Sequence, residues 1–224
     1  MNVATQGAAE VLAAQHPVVM EGIKECQEAG LVVAVFSGQR GLLGAIACGV
    51  ELQRPPRDFD LRTPHFWQVA EVLGAEVEDN LPVTVRTGDG LLMTFRAHRA
   101  VARLGGVEVE FMQPTEPVNV GGEQFESAFT EAHARHLTTY QTELGPLPVD
   151  DKGTLEIYTL RQGSGDKQDL ASAALVLATT TPQVREAFLG AAAVPSRDRM
   201  TRFRREVALA AQQFMNEGVL LAAA

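Results

Sequence analysis

The stretch that most constrains this chain is residues 31–36, Leu-Val-Val-Ala-Val-Phe, set between Gly30 and Ser37-Gly38. It is short, unbroken by any polar residue and rich in β-branched side chains, so it reads as a buried strand. Helical patterns flank it. Val19, Ile23 and Cys26 share one helical stripe that Gly30 closes as a C′ residue. After the Ser-Gly turn a second helix is expected over Gln39–Cys48. Residues 51–57 carry two prolines and are expected extended or looped. Asp58–Arg62 alternates acid and apolar residues as a strand does, and Pro64 opens a helix to about Leu73.

Further strands are expected at Pro82–Arg86 and Leu91–Arg96, joined by Thr87-Gly88-Asp89-Gly90, and at Val107–Met112 after Gly105-Gly106. Beyond Pro117 the pattern predicts a helix over Glu123–Ala134, extended chain at His136–Gln141 and Leu147–Val149, then four helices. These cover Asp151–Arg161, Lys167–Thr179, Gln183–Leu189 and Ser196–Met215. The expected fold is α/β (α+β by stricter bookkeeping): a small, mixed, twisted sheet with flanking helices and a mostly helical C-terminal region. The division is placed between 1–117 and 118–224, within a soft boundary at about 114–122.

Composition narrows the setting. A chain of 224 residues, 46% hydrophobic, buries a core without disulfide or metal staples. Two cysteines, Cys26 and Cys48, exclude a disulfide scaffold and a cysteine-only zinc site, and both read as small core residues. No 20-residue apolar span occurs, and the N-terminal stretch lacks the basic flank and apolar run of a signal peptide. A cytoplasmic protein without a membrane partner is therefore expected. The net charge of −9 argues against broad DNA binding.

The chemistry is concentrated in Arg54-Pro55-Pro56-Arg57-Asp58-Phe59-Asp60-Leu61. On a strand, residues two apart face the same way, so Asp58 and Asp60 present two carboxylates from one side. Such a pair is costly unless a cation sits between the charges, and hard oxygens suit Mg²⁺ or Mn²⁺. Glu108 and Glu110 share a face of the Val-Glu-Val-Glu-Phe-Met strand and offer a third acid. Three carboxylates on neighbouring strands can hold two metals roughly 3.5–4 Å apart.

A buried strand, a Ser-Gly turn, a helix and then R-P-P-R-D-F-D-L resembles the nucleotidyltransferase superfamily that includes DNA polymerase β, most closely its minimal and abortive-infection-type branches. The likeness covers roughly residues 18–180. It implies that Asp58 and Asp60 hold the metals, with Glu110, followed by Phe111-Met112, as the third acid. It implies nucleotide contacts from Ser37, Gly38 and Arg54, the turn aiming N–H groups at phosphate. Lys167 and Asp169 match a Lys-Asp motif opening the last helix of the family, and Lys167 would meet the triphosphate. The implied reaction moves a nucleoside monophosphate from an NTP to an acceptor hydroxyl, on RNA, protein or a small molecule, with release of pyrophosphate. Pro56 stands where the family has Ser or Thr, and the third acid is Glu rather than Asp. A catalytically inactive nucleotide- or partner-binding module, and a hydrolase using the same acids, stay open as alternatives.

Other signals are weaker. Arg57 either clamps triphosphate or neutralises its acidic neighbours. His133 and His136 read as a surface pair, and Trp67 as a core residue. Arg197, Arg199, Arg202, Arg204 and Arg205 form the one basic cluster, read as a solvated helix face or as an acceptor site for RNA or a phosphorylated substrate. No Walker loop and no G-x-S-x-G elbow is present.

Overall fold

The computed structural model describes residues 3–52, 56–86, 90–125, 129–160, 170–190 and 197–217. Its described strands form one mixed, curled sheet, in the order β7-β6-β4-β5-β2-β1-β9-β8 with β3 paired to β4. The strands are β1 (Ala34–Val35), β2 (Asp58–Arg62), β3 (Glu76–Arg86), β4 (Leu92–Leu104), β5 (Val107–Pro114), β6 (Val118–Val120), β7 (Glu123–Phe125), β8 (Thr138–Thr142) and β9 (Gly145–Val149). The helices are α1 (Val3–Gln15), α2 (Pro17–Glu28), α3 (Ser37–Cys48), α4 (Phe66–Val72), α5 (Glu131–Ala134), α6 (Asp151–Leu160), α7 (Leu170–Thr179), α8 (Pro182–Gly190) and α9 (Arg197–Glu217). Strands on both sides of residue 117 hydrogen-bond into the same sheet.

The main core lies on one sheet face. Phe59 and Leu61 of β2, Ala100 and Ala102 of β4, and Val109 and Phe111 of β5 meet apolar side chains of α1, α2 and α4. A second core joins α6, α7, α8 and α9 through Leu155, Tyr158, Leu177, Phe188, Phe203 and Val207. Helix α3 belongs to both halves, packing against α1 on one side and against α6 and α7 on the other. It can do so because it carries glycines three apart. A Cβ on Gly41 would meet the Tyr158 hydroxyl at 2.8 Å, and one on Gly44 the Leu175 backbone at 3.2 Å.

Several expectations are corrected. The run 31–36 is buried as expected at Val33–Val35, but only Ala34 and Val35 enter the ladder. They pair antiparallel with Arg62 and Leu61, and Val35 also pairs parallel with Val149. β3 and β4 run well past the expected hairpin, since Ala97, His98, Arg99 and Ala100–Leu104 keep alternating and pair along β5. Of the helix expected over Glu123–Ala134, the described residues are helical only at Glu131–Ala134. The preceding segment instead forms the β6–β7 hairpin, turned by Gly121 and Gly122 at φ 60° and 95°. Two adjacent glycines with positive φ make the tight turn whose twist matches paired strands. Helix α1 was not anticipated. It docks through the small side chains Thr5, Ala8, Ala9 and Ala13 with Leu12, a face too weakly apolar to stand out. No helix among the described residues is long and apolar enough to cross a membrane.

Candidate functional site

Strand β2 alternates as its sequence demands. Phe59 and Leu61 enter the core, while Asp58, Asp60 and Arg62 stand half-buried on the opposite face. β5 lies beside it in parallel register, with Asp58 opposite Glu108 and Asp60 opposite Glu110. In-register residues of a parallel pair point to the same side, about 4.8 Å apart along the hydrogen-bonding direction. The two acid pairs therefore share one face of the sheet. Glu110 is the deeper of the two glutamates, its side chain 16% exposed against 41% for Glu108.

Each acid has a specific setting. The Gly38 N–H donates to Asp60 Oδ2 at 3.3 Å, so this carboxylate sits at the positive end of α3. Gly38 is needed there, because a Cβ would lie 2.9 Å from that of Pro56. Gln39 Nε2 donates to the Asp58 carbonyl at 2.9 Å. That bond fixes the amide's orientation, since a flipped amide would set two oxygens against each other. Gln39 is 2% exposed, and its Oε1 is buried without a hydrogen-bond partner. Glu110 Oε2 accepts from Arg99 Nη2 at 2.9 Å, and Arg99 Nη1 donates to Glu78 at 2.9 Å. Hydrogen bonds donated to Glu110 and then to Glu78 push the Arg99 guanidinium's pKa above its ordinary range. Glu108 has only a 3.9 Å approach from the exposed Arg103.

Ser37 opens α3 at φ 52°, an uncommon backbone for a non-glycine residue. It is held there by two bonds to α6: its N–H donates to Thr154 Oγ1 at 3.1 Å, and its carbonyl accepts from Tyr158 at 3.2 Å. Both N–H groups of the Ser-Gly turn thus have protein partners, Thr154 and Asp60.

No protein family model, curated protein or solved structure matches this chain. What the site can do rests on its geometry.

The structure brings together Asp58, Asp60, Glu110, Ser37 and Gly38. Arg54, Lys167 and Asp169 lie outside the described residues. Among the described residues no group of three or more His, Cys, Asp and Glu side chains is gathered as a metal site. One Asp60 oxygen is turned to Gly38 and one Glu110 oxygen to Arg99. Asp58, Asp60 and Glu110 are hard oxygen donors of the type that suits Mg²⁺ or Mn²⁺, while Gln39 Oε1 is a separate buried acceptor on an amide bonded to the Asp58 backbone carbonyl.

The remaining sequence candidates resolve individually. Trp67 is 52% exposed, not core, because Phe66, Val69 and Ala70 take the inner side of α4. His133 caps α5 through Thr130. Arg57 is exposed. Burial pushes the Cys26 thiol up to about 11 and raises that of Cys48. On α9, Arg202 pairs with Glu206 at 2.9 Å and Arg204 lies 5.4 Å over Phe188, while Arg205 is exposed. The side chains of Arg197 and Arg199 lie outside the described residues.

Two arginines were missed as structural anchors. Arg40 is fully buried, bonded to Asp151 of α6 and, at 3.0 Å, to Thr179 of α7. Arg62 shares the face of the two aspartates, ion-pairs with Asp150 at 2.9 Å and lies over Phe36 and Phe129. Neither carries a local signal: Arg40 stands between Gln39 and Gly41, and Arg62 between Leu61 and Thr63.

Proposed function

We propose that this chain is a metal-dependent nucleotidyltransferase that moves a nucleoside monophosphate from an NTP to an acceptor hydroxyl. The observation that carries the reading is the parallel register of β2 on β5, which sets Asp60, bonded at the N-terminus of α3, beside Glu110. A nucleotidyltransferase-type sheet asks for that adjacency: an acid pair on one strand, a third acid on its neighbour, and a tight strand-to-helix turn at the same end. Asp58, Asp60 and Glu110 would hold the metal, Mg²⁺ or Mn²⁺. When bound it would lower the pKa of the acceptor hydroxyl and neutralise charge on the departing pyrophosphate.

The chain's own groups would do the rest. Asp58 and Asp60 set the position of the reacting phosphate from one rigid strand. The acceptor oxygen attacks the α-phosphorus, the bond to the bridging oxygen breaks, and pyrophosphate leaves. The acceptor proton passes to Glu110 or to solvent. Ser37 and Gly38 would orient phosphate only after Thr154 and Asp60 release their N–H groups, with Arg54 and Lys167 as the further nucleotide contacts. A reaction that consumes NTP suits a cytoplasmic protein.

A second reading is a catalytically inactive nucleotide- or partner-binding module. The occupied Ser37 and Gly38 N–H groups and the Arg99–Glu110 pair favour it. Calorimetric titration with each NTP, with and without Mg²⁺, separates the two. Metal-dependent binding followed by pyrophosphate release supports the enzyme; metal-independent binding or none supports the module.

A further inference from the structure

We infer that Arg62 is a positioning residue: through Asp150 and α6 on one side, and through Phe36 on the other, it sets the Ser37–Gly38 turn against Asp60. Its part in the reaction rests on the nucleotidyltransferase reading above. Arg62 Nη1 donates to Asp150 Oδ2 at 2.9 Å, and both side chains are largely withdrawn from solvent. Asp150 leads into α6, its Oδ1 accepting the Gly153 N–H at 2.9 Å and its carbonyl accepting from the Thr154 hydroxyl at 2.7 Å. The oxygen of that hydroxyl accepts the Ser37 N–H at 3.1 Å. The next N–H, of Gly38, donates to Asp60 Oδ2 at 3.3 Å. Asp60 and Arg62 share one face of β2, so this chain of contacts leaves the strand at Arg62 and returns to it at Asp60.

The guanidinium also lies 4.7 Å over the ring of Phe36, the residue before Ser37, whose own N–H donates to the Asp60 carbonyl at 3.0 Å. The cation therefore grips the turn directly as well as through α6. Ser37 stands at φ 52°, a backbone that persists in a non-glycine residue only where its surroundings hold it. Gly153 leaves the room that the ion pair needs, since a Cβ there would overlap both Arg62 Nη1 and the Asp150 carboxylate. Alanine is the better helix former, so glycine in the first turn of α6 weakens the helix to admit the guanidinium. A turn held in place ahead of the substrate keeps Asp60 within the small tolerance that a reacting phosphate allows.

The test is Gly153→Ala in the full chain, which keeps every charge, displaces the guanidinium from Asp150 and favours α6 as a helix. Hydrogen exchange of single amides, read by NMR, should quicken about tenfold or more at Ser37 and Gly38, while Ala102 and Val109 of β4 and β5 change less than about twofold. Asp150→Asn keeps an oxygen for the Gly153 N–H and drops the charge that Arg62 meets. It should act in the same way, and it carries the test if the alanine variant does not fold. Lys152→Gln, at the α6 residue paired with Glu156, should leave all four amides as they are. Unchanged exchange at Ser37 and Gly38 in both variants would overturn the inference, as would equal quickening at all four amides, the mark of a general loss of stability. In transfer from labelled NTP, both variants should lower kcat about tenfold and shift KM for NTP less than about twofold, because Asp60 acts on the reacting phosphate. A raised KM at unchanged kcat would overturn the inference too. Quickened exchange at the turn of a protein whose wild type transfers no label would keep Arg62 as the anchor of the turn and remove the enzyme reading instead.

Discussion

Asp60 carries two demands in one carboxylate: it shares a face with Asp58, and it accepts the Gly38 N–H at the start of α3. Asn keeps an acceptor for that N–H and removes a like charge, so Asp60→Asn should leave the melting temperature unchanged or raised while transfer falls by at least about a hundredfold. A clear fall in melting temperature with Mn²⁺ binding intact would mark the acid as structural. The two glutamates of β5 should differ in the same assay. Glu110→Gln should suppress transfer by orders of magnitude, and Glu108→Gln should be mild, because Glu110 is the deeper and stands opposite Asp60. These acids were legible in the sequence because D-x-D and E-x-E on strands advertise a shared face. Their partners were not. Nothing local in the sequence tells that Arg99 reaches Glu110 across β4 and β5, since that contact is set by strand register.

At the scale of elements, α3 shows how a short stretch can be read correctly and still be undervalued. A helix over Gln39–Cys48 was expected after the Ser-Gly turn; α3 runs Ser37–Cys48, with Gly49 closing it at φ 67°. The spacing of Gly38, Gly41 and Gly44 carried more than a turn: each lets another element approach, namely the Pro56 segment, α6 and α7. Gly44→Val should therefore destabilise the fold by about 1–3 kcal/mol, as overpacking against the unyielding Leu175 backbone does. Urea unfolding would show it as a lowered midpoint at unchanged slope; an unaltered midpoint would mean that α7 can move away freely. The β6–β7 hairpin is the opposite case. Its Gly121-Gly122 turn was in plain view, yet acidic residues after it resembled the first turn of a helix.

Across the whole molecule, one contact that ties α6 and α7 to α3 is charged and buried. Arg40 of α3 joins Asp151 of α6 and Thr179 of α7, and Asp151 also accepts from Thr138 of β8 at 2.7 Å. Arg40→Met should cost about 3–5 kcal/mol by leaving Asp151 buried and uncompensated, and adding Asp151→Leu should restore part of the loss. A double variant as unstable as the sum of the two singles would show that the pair is not coupled. Folded in this way, the molecule keeps Ser37, Asp60 and Tyr158 in one place, although they come from α3, β2 and α6. The activity of that place is most directly tested by incubating the full chain with Mg²⁺ and NTPs labelled at the α-phosphate, using cell extract as the source of acceptors. The account predicts label attached to an acceptor together with free pyrophosphate, both lost in Asp60→Asn. Label that stays wholly on nucleotide, inorganic phosphate released without a nucleotidylated product, or transfer indifferent to Asp60→Asn would contradict it.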